Sequence, residues 1–563
     1  MSLLGIDTTV LRVGSLGALI LALALAAVVL HRFSSDENGL VGTVKDRFVL
    51  GVPWGTLVVV ALVYAIYYLV QGGGQRGGPI VVGFRSWSYW YPQSMLFSSF
   101  THSSHSHLMG NLFGTLAFAP IVEYAWGHYP RSADQADMGK SVSDHGLGSR
   151  ESRLDRYGRW LEHPAVRIGT FVGVVFVVGI VGSLIVPGAA IGFSGVVFAF
   201  AGFALVTFPI AAVLAIVGIQ VVRLVYRSFT DPFVLAQAQE RFVRPSWADV
   251  AVQGHLYGLL IGVLLALVLL RYRDHSPNLR HVFFAVLVFA VSRSLQSIYW
   301  FLGNEGYVLF QALGTAGVIL LATIIAVATI ENDRLLVSRI DLRVSTAVVG
   351  FIVALVLALA LLGVPYNLVS VTGGEEVEDG IEIQDYTVTY AEGVENKYIS
   401  ALDLPVYQGP SVRMSGVIVV SEKRNVWERS VSREQLEIDG SATVVLGDAT
   451  WRETVRIQRT QWTVAGGNIS YQVFGRHDGA YYRLFESDLA VAQPTIDGKT
   501  IAIQPAASQS EIVVVANETV LGVEPVPADG KHVQIENLSF ERENNRLFVA
   551  HERTELLLAE YST

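Results

Sequence analysis

Cysteine is absent from this chain of 563 residues. That absence excludes disulfides, Cys-ligated zinc and thiol nucleophiles together. Charge is scarce as well: 16 % of residues are Asp, Glu, Lys or Arg, against 52 % hydrophobic ones. Intrinsic disorder needs low hydrophobicity and high net charge, so it is excluded. A basic field is missing too, because the formal net charge is −9, and with it goes any dominant nucleic-acid partner. No H-E-x-x-H motif occurs, so His102, His105, His107 and His128 are not read as a metal site, and neither metal nor cofactor is expected. Lysine is rare beside arginine, 6 against 34, which together with the acidic balance suits an organism living in high salt.

What the chain has in abundance is long apolar runs. Ten lie near 10–31, 54–71, 102–122, 167–187, 193–208, 210–226, 249–270, 281–302, 306–330 and 344–364. At roughly 16–25 residues each they are long enough to cross about 30 Å of hydrocarbon as helices, the shorter ones with local support. After Pro365 the pattern changes to short β-branched bursts such as Val417-Ile-Val-Val420 and Glu511-Ile-Val-Val-Val515, punctuated by Gly, Asp, Asn and Pro. That is how an all-β sandwich or barrel reads. The fold class expected is therefore a polytopic α-helical membrane protein with a C-terminal all-β, sandwich-like domain.

Residues 366–563 hold 30 acidic and 16 basic residues, so the apolar part must be net positive. Its basic residues cluster at His31-Arg32 with Lys45 and Arg47, at Arg131–Arg167, at Arg271–Arg280 and at Arg334–Arg343. All four fall on one side if the first segment enters from outside. The positive-inside rule then puts both termini and the β domain outside a multi-pass protein of the plasma membrane. The sequons at Asn468, Asn517 and Asn537 all lie in this outer domain. A cleaved signal peptide is the other reading of the first segment, but cleavage would invert every later helix. The organisation expected is an extra helix and loop over 1–49, a core over 50–272 with a cytoplasmic insert at about 128–166, three further helices over 273–365, and the β domain over 366–563.

Polar residues inside apolar helices are costly and point to function. His102-x4-His107-x3-Asn111 puts His107 and Asn111 one turn apart on one helical face. Gly192-Phe-Ser194-Gly195 opens the fifth segment, and His255-x2-Gly258-x3-Gly262 lies in the seventh. Taken singly, Ser194 reads as a hydroxyl bonded back to its own helix, His255 as a satisfied core histidine, and Gly258/Gly262 as helix packing. Taken together they supply a nucleophile, a base to take its proton, and donors for an oxyanion.

In this order, each on its own segment, H-x4-H-x3-N, G-x-S-G-V-V-aromatic-A and H-x2-G-x3-G resemble the rhomboid family of intramembrane serine proteases. Glu123-Tyr-Ala-Trp-Gly127 is similar to the family's E-x3-G. The resemblance covers residues 50–272 and implies a six-helix core. It implies Ser194 as nucleophile and His255 as general base in a dyad without an acid. It also implies His107, Asn111 and the Ser194 N–H as the oxyanion site. His102 and Glu123 would be structural, with Gly192, Gly195, Phe198, Gly258 and Gly262 shaping the site. Gln93-Ser94 stands where the family often has Trp-Arg, and Phe198 where it commonly has Tyr. The function expected is cleavage of transmembrane segments of other proteins near the outer face of the bilayer, with the β domain recruiting substrate ectodomains or restricting access. The alternatives are a catalytically silent escort or chaperone of rhomboid-like fold, and a transporter, for which no inverted repeat is visible.

Overall fold

The computed structural model describes residues 2–3, 6–33, 45–129, 162–232, 252–301, 307–330, 335–337, 342–368, 380–396, 403–404, 407–408, 413–506 and 509–562. Most of the expected insert and most of the basic cluster Arg131–Arg167 lie outside them. A helix forms at each of the ten apolar stretches: α1 Thr8–Phe33, α2 Trp54–Ala65, α4 His105–Trp126, α5 Pro164–Ile185, α6 Ser194–Thr207, α7 Pro209–Thr230, α8 Val252–Tyr272, α9 Leu279–Ser292, α10 Gln311–Ala328 and α11 Val344–Leu368. A short α3, Pro92–Phe97, precedes α4. Among the described residues seven of these helices are long and apolar enough to cross a membrane, and α2, α6 and α9 are shorter. This is a multi-pass membrane protein with a C-terminal β region.

The short α6 works because it does not face lipid. Every residue from Val196 to Thr207 is buried, with the other helices packed round it. Pro209 ends it and starts α7, since proline fits a helix's first turn but not its interior. The eighth stretch departs from expectation: α9 stops at Ser292, and Tyr299–Phe301 pairs with Tyr307–Leu309 as a small hairpin before α10. Instead of ending before Pro365, α11 runs through it to Leu368.

At the far end of α4, its free C-terminal carbonyls are capped by arginines. Arg47 donates to the carbonyls of Tyr124, Ala125 and Trp126, Arg167 to those of Trp126 and Gly127, and Arg273 to that of Ala125. Cations are stabilising at this end of a helix.

The C-terminal region is built of antiparallel strands: β1 Ile381–Ile383, β2 Tyr386–Glu395, β3 Arg413–Ser421, β4 Val426–Ser432, β5 Ser441–Gly447, β6 Arg452–Val464, β7 Ile469–His477, β8 Ala480–Glu486, β9 Ala490–Val491, β10 Thr500–Gln504, β11 Glu511–Ala516, β12 Thr519–Pro525, β13 His532–Ile535, β14 Leu538–Glu543, β15 Arg546–His551 and β16 Thr554–Ser562. One sheet runs β4-β3-β2-β1 and another β9-β10-β11-β12; a long third runs β8-β7-β6-β16-β15-β14-β13, with β5 beside β6. Two cores result. One gathers Val388, Val417, Leu446, Val455 and Val473, and the other Ile501, Val514, Phe540 and Val549. Strand β6 belongs to both, through Val455 and Ile457 at one end and Trp462 and Val464 at the other. Val82 and Trp87, from the segment between α2 and α3, are buried in the first core, so the β region is seated directly on that segment.

Candidate functional site

Gly192 has φ 122°, a conformation that favours glycine, and it turns the chain into Phe193 and the first residue of α6, Ser194. On α8, His255 points its Nε2 at the Ser194 Oγ, 2.8 Å away. Glycines make this approach feasible. A Cβ on Gly258 would strike the Gly195 carbonyl, and one on Gly262 the Ala199 carbonyl, so the two helix backbones touch. Phe198, one turn on from Ser194, stacks its ring on the His255 imidazole at 4.2 Å with 5° between planes. His255 Nδ1 is buried and has no hydrogen-bond partner.

From α4, His107 abuts Gly192, where a side chain would collide with its ring, and Ser103 Oγ lies 3.0 Å from its Nδ1. Asn111 is buried one turn further on, and its Nδ2 has no hydrogen-bond partner. His102 is fully buried at 5.2 Å from the His107 ring. Its backbone is pinned by Gln71, which accepts from His102 N at 2.7 Å and donates to His102 O at 3.0 Å.

A cavity of about 600 Å³ opens beside these groups, lined by Ser194, His255, His107, Gly192, Tyr257 and Arg85 among others. One wall carries hydroxyls: Ser183 Oγ lies 2.9 Å from Ser98 Oγ and 2.6 Å from Ser99 Oγ. Arg85, Ser98, Ser99 and Ser183 were not singled out from the sequence, because a lone Arg or Ser carries no spacing signal. The Gln93-Ser94 departure falls in α3, where Ser94 is buried and donates to the Tyr91 carbonyl.

Glu123 is not among the gathered residues. It sits near the C-terminal end of α4, where its carboxylate accepts from Gly55 N, Thr56 N and Thr56 Oγ at 2.6–2.8 Å and lies 2.6 Å from His128 Nε2. It therefore caps α2, whose first N–H groups have no partner within the helix. Among the described residues, the side chains that could jointly hold a metal ion are Glu453, His477 and Asp478 of the β region, and none of them lines this cavity.

A nucleophile within hydrogen-bond reach of a base, beside an unpaired amide donor, is chemically equipped for acyl transfer. The family model described as Rhomboid domain matches residues 159–272, the span from just before α5 to the end of α8, which holds both Ser194 and His255. No curated protein and no solved structure matches the chain.

Proposed function

From the premise that this is a rhomboid-domain membrane protein, we propose that it is an intramembrane serine endopeptidase. The observation that carries the reading is the 2.8 Å contact between Ser194 Oγ and His255 Nε2. With its proton on Nδ1, His255 takes the Ser194 proton at Nε2 as Oγ attacks a peptide carbonyl, and then returns it to the leaving amine. The unpartnered Asn111 Nδ2, the His107 ring and the Ser194 N–H stabilise the tetrahedral oxyanion. Water then hydrolyses the acyl-enzyme. Phe198 holds the plane of the imidazole by stacking, which is only the orienting part of what an acid does in a triad.

Substrates in this reading are transmembrane segments of other proteins, cut near the end of the bundle where Ser194 lies. An intact helix hides its carbonyls, so segments with Gly, Pro or polar residues beyond the cut are favoured. The positive-inside rule makes that end extracytoplasmic, together with both termini and the β region. The β region's seat at this same end supports a role in receiving substrate ectodomains.

The test is labelling in membranes by a fluorophosphonate, an electrophile directed at activated serines. Wild type labels, and Ser194→Ala and His255→Ala do not. Asn111→Ala lowers substrate cleavage about 10²-fold, as loss of one oxyanion donor does. A folded wild type that fails to label points instead to the non-catalytic escort.

A further inference from the structure

The β region reaches the catalytic cavity through one charged side chain. The segment between α2 and α3 is gripped from above. Arg452 of β6 donates to the carbonyls of Gly78 at 2.5 Å and Arg76 at 3.0 Å, and Arg424 donates to Tyr91 Oη at 2.8 Å. Val82 and Trp87 are buried in the first β core, and a Cβ on Gly83 would strike the Gly447 carbonyl. Out of this clamped segment Arg85 extends into the cavity lining, to which His107 also contributes.

Two groups hold the Arg85 guanidinium. Its Nε lies 3.3 Å from Glu428 Oε1 on β4, an ion pair with side chains 29 % and 15 % exposed. Its Nη1 donates to the Ala189 carbonyl at 3.1 Å. Ser86 fastens the same strip: its N–H donates to the Ala190 carbonyl at 2.9 Å, its Oγ to the Gly188 carbonyl at 3.1 Å, and it accepts from Ala190 N at 3.1 Å. Two residues after Ala190 comes Gly192, whose N–H donates to the Ser98 carbonyl at 2.8 Å before the chain turns into Ser194. A continuous chain of contacts thus runs from Glu428, through Arg85 and the Ala189 carbonyl, to the backbone that carries Ser194.

We propose that Glu428 and Arg85 are positioning residues, through which the β region holds the Gly188–Gly192 strip, and so the Ser194 backbone N–H, at its working geometry. The inference rests on the reading of Ser194 as nucleophile; neither residue is a catalytic one. The charge on Glu428 keeps the guanidinium turned toward Ala189. Without it, an unbalanced cation is better solvated elsewhere and releases the strip. Lysine does not substitute for Arg85, because its point charge cannot donate to the Ala189 carbonyl and face Glu428 at once with fixed geometry.

The experiment uses the full-length protein in liposomes, comparing wild type with Glu428→Gln, Glu428→Asp and Arg85→Lys. The fluorophosphonate labelling rate and the kcat and KM on a transmembrane reporter are measured, together with hydrogen exchange at Ala190 and Gly192. Glu428→Gln lowers the labelling rate and kcat about tenfold, in line with the cost of small misplacements, and changes KM less than about twofold. Arg85→Lys behaves likewise, and Glu428→Asp recovers most of the rate. Exchange at Ala190 and Gly192 quickens in Glu428→Gln while the thermal midpoint stays near that of wild type. Unchanged exchange in that variant overturns the inference even in a protein that never labels. A rise in KM at constant kcat also overturns it, and makes this face a substrate contact. Failure of the protease reading is recognised separately, as absence of labelling in wild type.

Discussion

At the scale of the residue, Glu123 and Ser194 show how position along one bundle separates structure from chemistry. Glu123 is fully buried, and its carboxylate accepts three hydrogen bonds at the start of α2 while touching His128. Glu123→Ala leaves the Gly55 and Thr56 donors and His128 without their partner in a dry interior. The expected cost is about 3–5 kcal/mol, read as a lowered thermal midpoint in detergent. The folded fraction still labels at Ser194, because the carboxylate is remote from the cavity. Phe198 behaves oppositely: Phe198→Ala removes the ring stacked on His255 and slows labelling, whereas Phe198→Tyr keeps the stack and the rate. Spacing alone put His107 and Asn111 on one face of α4. It could not show that Glu123 caps a helix more than sixty residues away in sequence.

Between elements, the contact that matters most is α6 against α8, and glycine makes it. Gly195 faces Gly258, Ala199 faces Gly262, and Gly202 faces the Leu259 carbonyl, so even one methyl group at Gly258, Gly262 or Gly202 meets backbone. Gly262→Ala pushes the helices apart, stretches the Ser194–His255 contact and costs about 1–3 kcal/mol by overpacking. Labelling and thermal midpoint should fall together. Gly173 on α5 is the control, since a Cβ there meets nothing. Gly173→Ala leaves labelling intact and holds or raises the midpoint, as alanine is the better helix former. Small-xxx-small spacing at Gly258 and Gly262 was legible as a packing face. That this face would meet the Ser194 helix was expected from pairing Ser194 with His255 and not from the glycines themselves, because nothing local to them distinguishes one apolar neighbour from another.

In the whole molecule, the β region and the helices are joined by a charged clasp. Arg424 donates to Asp385 at 2.6 and 3.0 Å, to Asp448 at 3.1 Å and to Tyr91, with the rings of Tyr91, Tyr386 and Trp451 around it. Burial pushes the Asp385 carboxyl up, but hydrogen bonds from Arg424 and Ser421, with the charges of Arg424 and Lys423, more than reverse this and leave it below its ordinary value. Asp448 is likewise lowered: burial raises it, and hydrogen bonds from Thr450 and Arg424 outweigh that. A carboxyl lowered by folding lends stability that is complete above its unfolded pKa, near 4, and is lost as pH falls through the lowered folded value. Acid should therefore loosen the seat of the β region. Protection of the Val82–Tyr91 amides, the intrinsic pH-dependent exchange rate divided by the observed one, is expected to fall below about pH 4 and to hold constant between pH 5 and 8. Asp448→Asn weakens the seat already at neutral pH and flattens its acid dependence.

Hydropathy and spacing determined that the chain crosses a membrane repeatedly and that strands follow, and the motifs singled out one serine and one histidine. These are local properties: an apolar run has to leave water, β-branched bursts between turn residues form strands, and a four-residue spacing shares a helical face whatever lies around it. Only the tertiary structure decided that β6 serves two cores, that Trp87 is buried in the β region, and that Arg85 meets Glu428 beside the cavity at Ser194. Those contacts join parts of the chain hundreds of residues apart. They depend on which apolar and charged surfaces are left to one another once every helix and sheet has packed, and no residue's neighbours in sequence carry that information.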